Sequence, residues 1–246
     1  MSTATKPLAL ITGASRGIGA ATAKQLAKQG YDLWLVARNP DLLADQAEEC
    51  RQHGSSVTTK TLDLTDSQSL KVLFQELQKE KRLHHLVHCA GFMLDKPLMM
   101  TSLSELQHLY TIHLQATFQL CQLASRLMTR QRFGNLVLLS SKVASAGSAG
   151  QSAYSSVKAS LTGLTLSLAK ELGPVGIRVN AVAPGLIETN LTEHYSEEKK
   201  AELIEKIALK RIGQPEDVAQ IIGFLCSPAA SYMTGQILGV DGGFSL

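Results

Sequence analysis

The sequence has no long hydrophobic run. Nothing in its 246 residues approaches the ~20 consecutive apolar residues that span a bilayer, which excludes a membrane-spanning helix. Residues 1–6 are polar and lead directly into an apolar stretch of about six residues, too short for the core of a secretory signal. A cytoplasmic protein is expected. Cysteine is scarce: Cys50, Cys89, Cys121 and Cys226 lie far apart and none sits in a C-x-x-C pair. That excludes a disulfide framework, and no metal site is expected. It leaves four buried or half-buried thiols in a reducing compartment. No charge of one sign dominates either. The 24 basic and 21 acidic residues leave a net charge of +3, and such a balance gives no bulk attraction to nucleic acid. There is no Pro/Gly/Ser-rich linker, charge block, repeat or low-complexity stretch. With 44% hydrophobic residues the chain suffices for one well-packed domain over 1–246.

What is present is an alternation of short apolar runs and longer segments of helical period. Strands are expected over 7–12, 33–37, 57–62, 85–89, 135–139, 177–182 and 236–240. Helices are expected over 18–29, 40–53, 66–79, 104–130, 152–172, 197–208 and 215–226. Continuous rather than alternating apolar strands imply burial on both faces. Strand–helix alternation with right-handed crossovers then gives an α/β fold, a doubly wound parallel sheet of about seven strands with helices on both faces. Such sheets bind ligands at the carboxyl ends of their strands, and the motifs below fall there.

The first strand ends in Thr12-Gly13-Ala14-Ser15-Arg16-Gly17-Ile18-Gly19. Glycines at this turn let backbone approach a pyrophosphate, and the following helix offers free N–H donors. Tight strand–helix turns use glycine in any case; the position after the first strand of a βαβ repeat is what points to a dinucleotide. The second strand ends in Ala37-Arg38-Asn39, with no acid to hold a ribose 2′-hydroxyl. Arg38, with Arg16 in reach, suits a 2′-phosphate instead, so NADP(H) is the expected cofactor; the alternative is two solvated arginines. Asp63 can accept from an adenine amino group or cap the next helix, a role that Asp66 fits better.

On the 152–172 helix, Tyr154 and Lys158 are four residues apart and share a face. A phenol near pKa ~10 exchanges protons poorly at neutral pH, and a neighbouring ammonium lowers that value. The pair is a candidate general acid/base couple or an amphipathic surface pair. Ser141, at the end of the preceding strand, can hold a carbonyl oxygen beside Tyr154 or serve as a turn residue. The Pro184-Gly185 turn lets Ile187 and Thr189 approach a nicotinamide carboxamide.

Taken in order, T-G-A-S-R-G-I-G, Asp63-Leu64, Cys89-Ala90-Gly91, S-S, Y-x-x-x-K and N-A-V-A-P-G resemble the short-chain dehydrogenase/reductase family over nearly the whole chain. The resemblance implies a Rossmann-type fold and hydride transfer between a nicotinamide and a ketone or alcohol. It implies that Ser141 orients the substrate, Tyr154 donates the proton, and Lys158 binds the ribose and lowers the tyrosine pKa. Within the family the chain is most similar to 3-oxoacyl-[acyl-carrier-protein] reductases, on the stretches 89–100, 182–189, 210–219 and 232–236. This implies a carrier-linked substrate, a carrier contact near Arg130 and Arg132, and a homotetramer. The second basic position of that contact falls on Val175.

Two residues depart from the family pattern. His113 stands where an asparagine normally completes the catalytic set by holding a water, and Cys89 replaces an asparagine before Ala90-Gly91. A histidine can bond water and carry protons near neutral pH, but it is bulkier and can displace that water; activity is expected to be retained but altered, with His113 either a defect or a working part of the relay. The competing readings are a reductase or dehydrogenase of another carbonyl, and a weakly active or non-catalytic NADP-binding subunit.

Overall fold

The computed structural model describes residues 5–193 and 195–245; the start of the polar amino-terminal stretch lies outside them. Seven strands form one parallel sheet: β1 (Leu8–Thr12), β2 (Asp32–Ala37), β3 (Val57–Thr61), β4 (His85–His88), β5 (Gly134–Leu139), β6 (Ile177–Pro184) and β7 (Ile237–Val240). Their order is β3-β2-β1-β4-β5-β6-β7. The chain winds outward from β1 to β3, returns to β1's other side at β4, and winds outward again. The reversal between β1 and β4 opens a crevice at the carboxyl ends of the strands, the place where such sheets take ligands.

Both faces of the sheet are covered, as the apolar strands require. In β1, Leu8 and Leu10 face one layer while Ala9 and Ile11 face the other. The first layer is completed by α3 (Ser67–Leu77), α5 (Ala116–Gln131) and α7 (Ser152–Leu172), through Leu70, Phe74, Leu120, Ala124 and Ala169. The second is completed by α1 (Gly17–Lys28), α2 (Pro40–Gln52) and α9 (Pro215–Cys226), through Ala23, Leu26, Leu43, Val218 and Ile222. Each fully buried leucine in these layers contributes ~1.5–3 kcal/mol. The two edge strands are the exception: β3, of sequence Val-Thr-Thr-Lys-Thr, and β7 are only partly covered.

The expected elements all form, with ends shifted by a few residues. Asp66 caps α3, accepting from Gln68 N at 2.9 Å, and so takes the capping role weighed for Asp63. Strand β6 runs on to Pro184, two residues past its expected end, and pairs there with Val240 of β7. Pro184 has no N–H of its own to give, and the ladder is continued by Gly185 N, which donates to Val240 O at 3.0 Å. The helix expected to reach 208 stops earlier, as α8 (Glu197–Glu205). A four-residue helix, α6 (Val143–Ala146), follows β5.

The expected 104–130 helix is not uniform. It begins as α4 (Leu103–Tyr110), closed at its start by a reciprocal Ser102–Glu105 capping box. It then widens into a π-helical turn over Thr111–Gln115 before continuing as α5. Such turns insert one extra residue into an α-helix and occur often at functional sites. His113 stands in the middle of this one.

Candidate active site

One cleft of about 1160 Å³ lies at the carboxyl end of the sheet, and every residue proposed from sequence as catalytic or cofactor-binding lines it. Its cofactor half is built on the β1–α1 turn. Gly13 has φ +69°, and a Cβ there would stand 2.7 Å from the backbone of Ala90. Only glycine lets the first turn press against Cys89-Ala90-Gly91, the turn that follows β4. Helix α1 begins at Gly17 with no side chain capping it, so its first N–H groups face the cleft as anion donors. Ser15, Arg16, Ile18 and Gly19 surround that end, with Arg38, Asp63 and Leu64 beyond. Asp63 Oδ1 accepts from Thr65 N and Thr65 Oγ1, each at 2.8 Å, and these bonds hold its carboxyl below the usual range. The glycine cradle, the uncapped helix start and the two arginines fit a phosphorylated dinucleotide.

The chemical half joins β5, α7 and the π turn. Tyr154, in the first turn of α7, is 8% exposed, and Lys158, one turn later, is 4% exposed. The surface-pair alternative is therefore excluded. Lys158 Nζ donates to Leu139 O at 2.6 Å and lies 5.8 Å from the centre of the Tyr154 ring. Burial brings its ammonium down to about 8. The expected lowering of Tyr154 is not what the surroundings produce. Burial pushes the phenol above its ordinary value, the Asp95 carboxylate adds to this, and the Ser141 hydroxyl opposes both. Tyr154 is therefore held as a protonated phenol, the form that donates. Ser140, beside Ser141, bonds Lys158 O at 3.3 Å and ties the end of β5 to α7.

His113 is 2% exposed. Its Nε2 lies 2.7 Å from Phe92 O and 3.3 Å from Phe92 N. Its ring packs edge-on against that of Tyr154, 5.6 Å between centres. The ring fills the space a Cβ would take at position 91, so Gly91 and His113 are matched. Burial, reinforced by Lys158, holds the imidazole well below its ordinary pKa. This corrects the expectation that it carries protons near neutral pH. A desolvated imidazole beside a cation stays neutral, and its contacts are those of a group that braces the Phe92 backbone behind Tyr154. Cys89 lines the cleft as a half-buried thiol, pushed up to about 12 by burial.

Arg130 and Arg132 are exposed where α5 ends and β5 begins. That is the amino end of the strand, away from the cleft of the same chain. Sequence reasoning assigned no role to three cleft residues, Asp95, Gln151 and Tyr195, which hydrogen-bond together. Nor did it assign one to Lys142, paired with Asp241 at 2.7 Å. Nothing in local pattern announces these contacts. Among the described residues no helix is long and apolar enough to cross a membrane, and no group of three or more His, Cys, Asp or Glu is placed to hold a metal.

Residues 13–245 match the family described as enoyl-(acyl carrier protein) reductase. The chain is a short-chain dehydrogenase/reductase. It is 40% identical over 238 residues to a 3-oxoacyl-[acyl-carrier-protein] reductase of Aquifex aeolicus (strain VF5), covering 96% of each chain. A protein of the same description from Staphylococcus aureus (strain Mu50 / ATCC 700699) is 38% identical over 237 residues, again 96% of each. Among solved structures, a short-chain type dehydrogenase/reductase from Mycobacterium ulcerans superposes with a TM-score of 0.92 at 32% identity, over 96% of this chain and 89% of that one. A putative NAD(P)-dependent gluconate 5-dehydrogenase from Beutenbergia cavernae, solved with bound NADP, gives 0.92 at 33% identity over 96% of each. This short-chain dehydrogenase/reductase is thus a nicotinamide-dependent oxidoreductase acting on CH–OH or C=O groups, with the seven-stranded parallel sheet of its solved relatives.

Proposed function

We propose that this enzyme reduces a 3-oxoacyl thioester carried on acyl carrier protein to the 3-hydroxyacyl product, with NADPH as reductant. The observation that carries the chemistry is the convergence of Ser141, Tyr154 and Lys158 on one buried corner of the cleft. The substrate class rests on the similarity to 3-oxoacyl-[acyl-carrier-protein] reductases over 96% of the chain.

The nicotinamide, when bound, supplies the hydride for the carbonyl carbon. The protein supplies the rest. The Ser141 hydroxyl orients the 3-oxo oxygen, and Tyr154, kept protonated by its burial, donates its proton to that oxygen as negative charge develops there. Lys158, anchored on Leu139 O, presents its remaining N–H donors to the cofactor ribose and stabilises the phenolate that proton donation leaves behind. His113 braces Phe92 so that this corner keeps its shape. Gly13, Gly17 and Gly19 cradle the pyrophosphate, Asp63 and Leu64 meet the adenine, and Cys89, Ala90 and Gly91 pack along the cofactor. Pro184, Gly185, Ile187 and Thr189 face the carboxamide. Arg38 and Arg16 select the 2′-phosphate. Replacing Arg38 with alanine is expected to cut the preference for NADPH over NADH about tenfold or more, the worth of a charge-assisted fork, as read from KM for each cofactor.

The same proposal places the enzyme in the cytoplasm as a single-domain homotetramer. With Arg130 and Arg132 remote from their own cleft, a carrier bound there would serve the cleft of a neighbouring subunit. Steady-state rates on 3-oxoacyl thioesters against free ketones test the substrate assignment, and inactivity on every thioester would remove it. A second reading, reduction of another ketone, is supported by the likeness to the gluconate dehydrogenase structure; activity on free ketones alone would establish it.

A further inference from the structure

Asp95, in the loop after β4, lines the cleft but has no part in the proton path described above. Two neutral donors reach it from different segments. The Gln151 side-chain amide donates to Oδ1, and the Tyr195 hydroxyl donates to Oδ2 at 2.8 Å. Beside the first bond, Lys96 N donates to Gly150 O at 2.6 Å, so the loop after β4 and the entry to α7 form one wall. The second bond joins residues 100 apart in sequence and crosses to the segment that leads into α8.

That segment needs such a tie. Helix α8 buries none of its residues, and its ion pairs Lys199–Glu202, Lys200–Glu197, Lys206–Glu202 and Lys210–Glu205 join it only to itself and to the residues just after it. Packing therefore does little to fix its position. Beyond its carboxyl end it is held by Ser245 N donating to Lys206 O and Leu209 N donating to Gly242 O, both 3.0 Å. Before its amino end stands the Tyr195–Asp95 bond. The same cleft is lined by Tyr154 and by the apolar residues Met93, Val143, Leu191 and Leu203. Asp95, Tyr154 and Tyr195 are also close enough for charge on one to be felt by another: Asp95 acts on Tyr154, and Tyr154 on Tyr195.

We propose that Tyr195 is a positioning residue for the substrate: its hydrogen bond to Asp95 ties the α8 segment to the opposite wall and sets the width of the acyl chamber in front of Tyr154. The proposal rests on the reductase reading above and deepens it. A neutral donor bonded to a carboxylate is a strong tie for an exposed segment, so the chamber loosens when it is cut.

Tyr195→Phe keeps the ring and removes the bond. Assayed with NADPH and 3-oxoacyl N-acetylcysteamine thioesters, it is expected to raise KM about tenfold, the worth of one hydrogen bond to a charged group, with kcat changing less. Trypsin cleavage at Lys199 and Lys200 in the NADPH-bound protein is expected to quicken by about the same factor. Asp95→Ala should reproduce both effects, and the double variant should be no worse than the more affected single one, as expected of two partners in one bond. Either readout staying within about twofold of the parent in Tyr195→Phe, or effects that add in the double variant, overturns the proposal. If the parent reduces no thioester, the reductase reading fails on its own. The cleavage rates then decide the tie: faster cleavage in both variants supports it, and unchanged cleavage overturns it.

Discussion

The two ends of the sheet carry similar residues arranged for opposite purposes. At the amino end, the buried Tyr31, His85 and Asn135 and the half-buried Arg178 form a cluster aimed at backbone. Tyr31 OH donates to Cys226 O at 2.9 Å, Arg178 donates to Leu225 O at 2.8 Å and Met233 O at 3.2 Å, and Asn135 Nδ2 donates to Leu225 O at 3.2 Å and lies as close to His85 Nδ1. At the carboxyl end, Ser141, Tyr154, Lys158 and His113 line a cleft. None of the amino-end four touches that cleft. Both ends contain a cation, a phenol and a neutral imidazole. One set closes on the carbonyls that end α9 and precede β7, stitching the layers together; the other leaves donors directed into a space. Residue type alone does not separate structure from chemistry; the partners of each donor do.

Three substitutions would break this contrast, in order of expected size. Tyr154→Phe removes the proposed proton donor and is expected to lower kcat by about 10²–10⁴, while NADPH binding, followed by fluorescence, and the melting temperature stay close to the parent's. A rate within tenfold of the parent would mean that Tyr154 is not the donor. Arg178→Met should do the reverse. It strips two carbonyls of a donor and is expected to cost ~1–3 kcal/mol of stability, read by urea unfolding. Turnover per folded molecule should be unchanged; a matching loss of turnover would contradict the division between the two ends.

The smallest effect concerns acid. Burial, with help from His84 and Arg178, brings His85 down to about 3. A histidine with a depressed folded value binds its proton first in the unfolded chain. Its contribution to stability is complete above the unfolded value near 6.5 and declines as pH falls from there toward about 3, by ~1.4 kcal/mol per pH unit. His85→Leu is expected to remove about one proton from the slope of stability against pH between 6 and 5. An unaltered slope would show that His85 is not held neutral by the fold.

Much of this was legible in the sequence, for a physical reason. Strands buried on both faces must be apolar throughout, and helices on a sheet must show helical period, so β1, β4, β5, α7 and α9 can be read from pattern. The cofactor turn is legible because only glycine permits the approach of Gly13 to Ala90. The pairing of Tyr154 with Lys158 is legible because four residues make one helical turn. What was not legible depends on chain segments far apart. The side-chain period through 111–115 reads as ordinary helix, yet the backbone widens there. His113 gives no local sign of neutrality, since that follows from burial under Phe92 and beside Lys158. The Asp95–Tyr195 bond spans 100 residues, and no local pattern connects them.

The widened turn has a consequence for how this site tolerates change. An α-helix advances ~100° per residue, and the π turn at Thr111–Gln115 absorbs one residue beyond that count. Deleting a single residue within it would let the stretch from α4 to α5 close into regular α-helix with both flanks still in phase, at the cost of the widening around His113. Forcing the turn into α geometry with its residue kept, or inserting one more residue as α-helix, would instead swing one flank by ~100° relative to the other, either carrying His113 off Gly91 or displacing α4 from α7. Insertions and deletions here thus act on the angular phase of a helix, a change that no substitution scan samples.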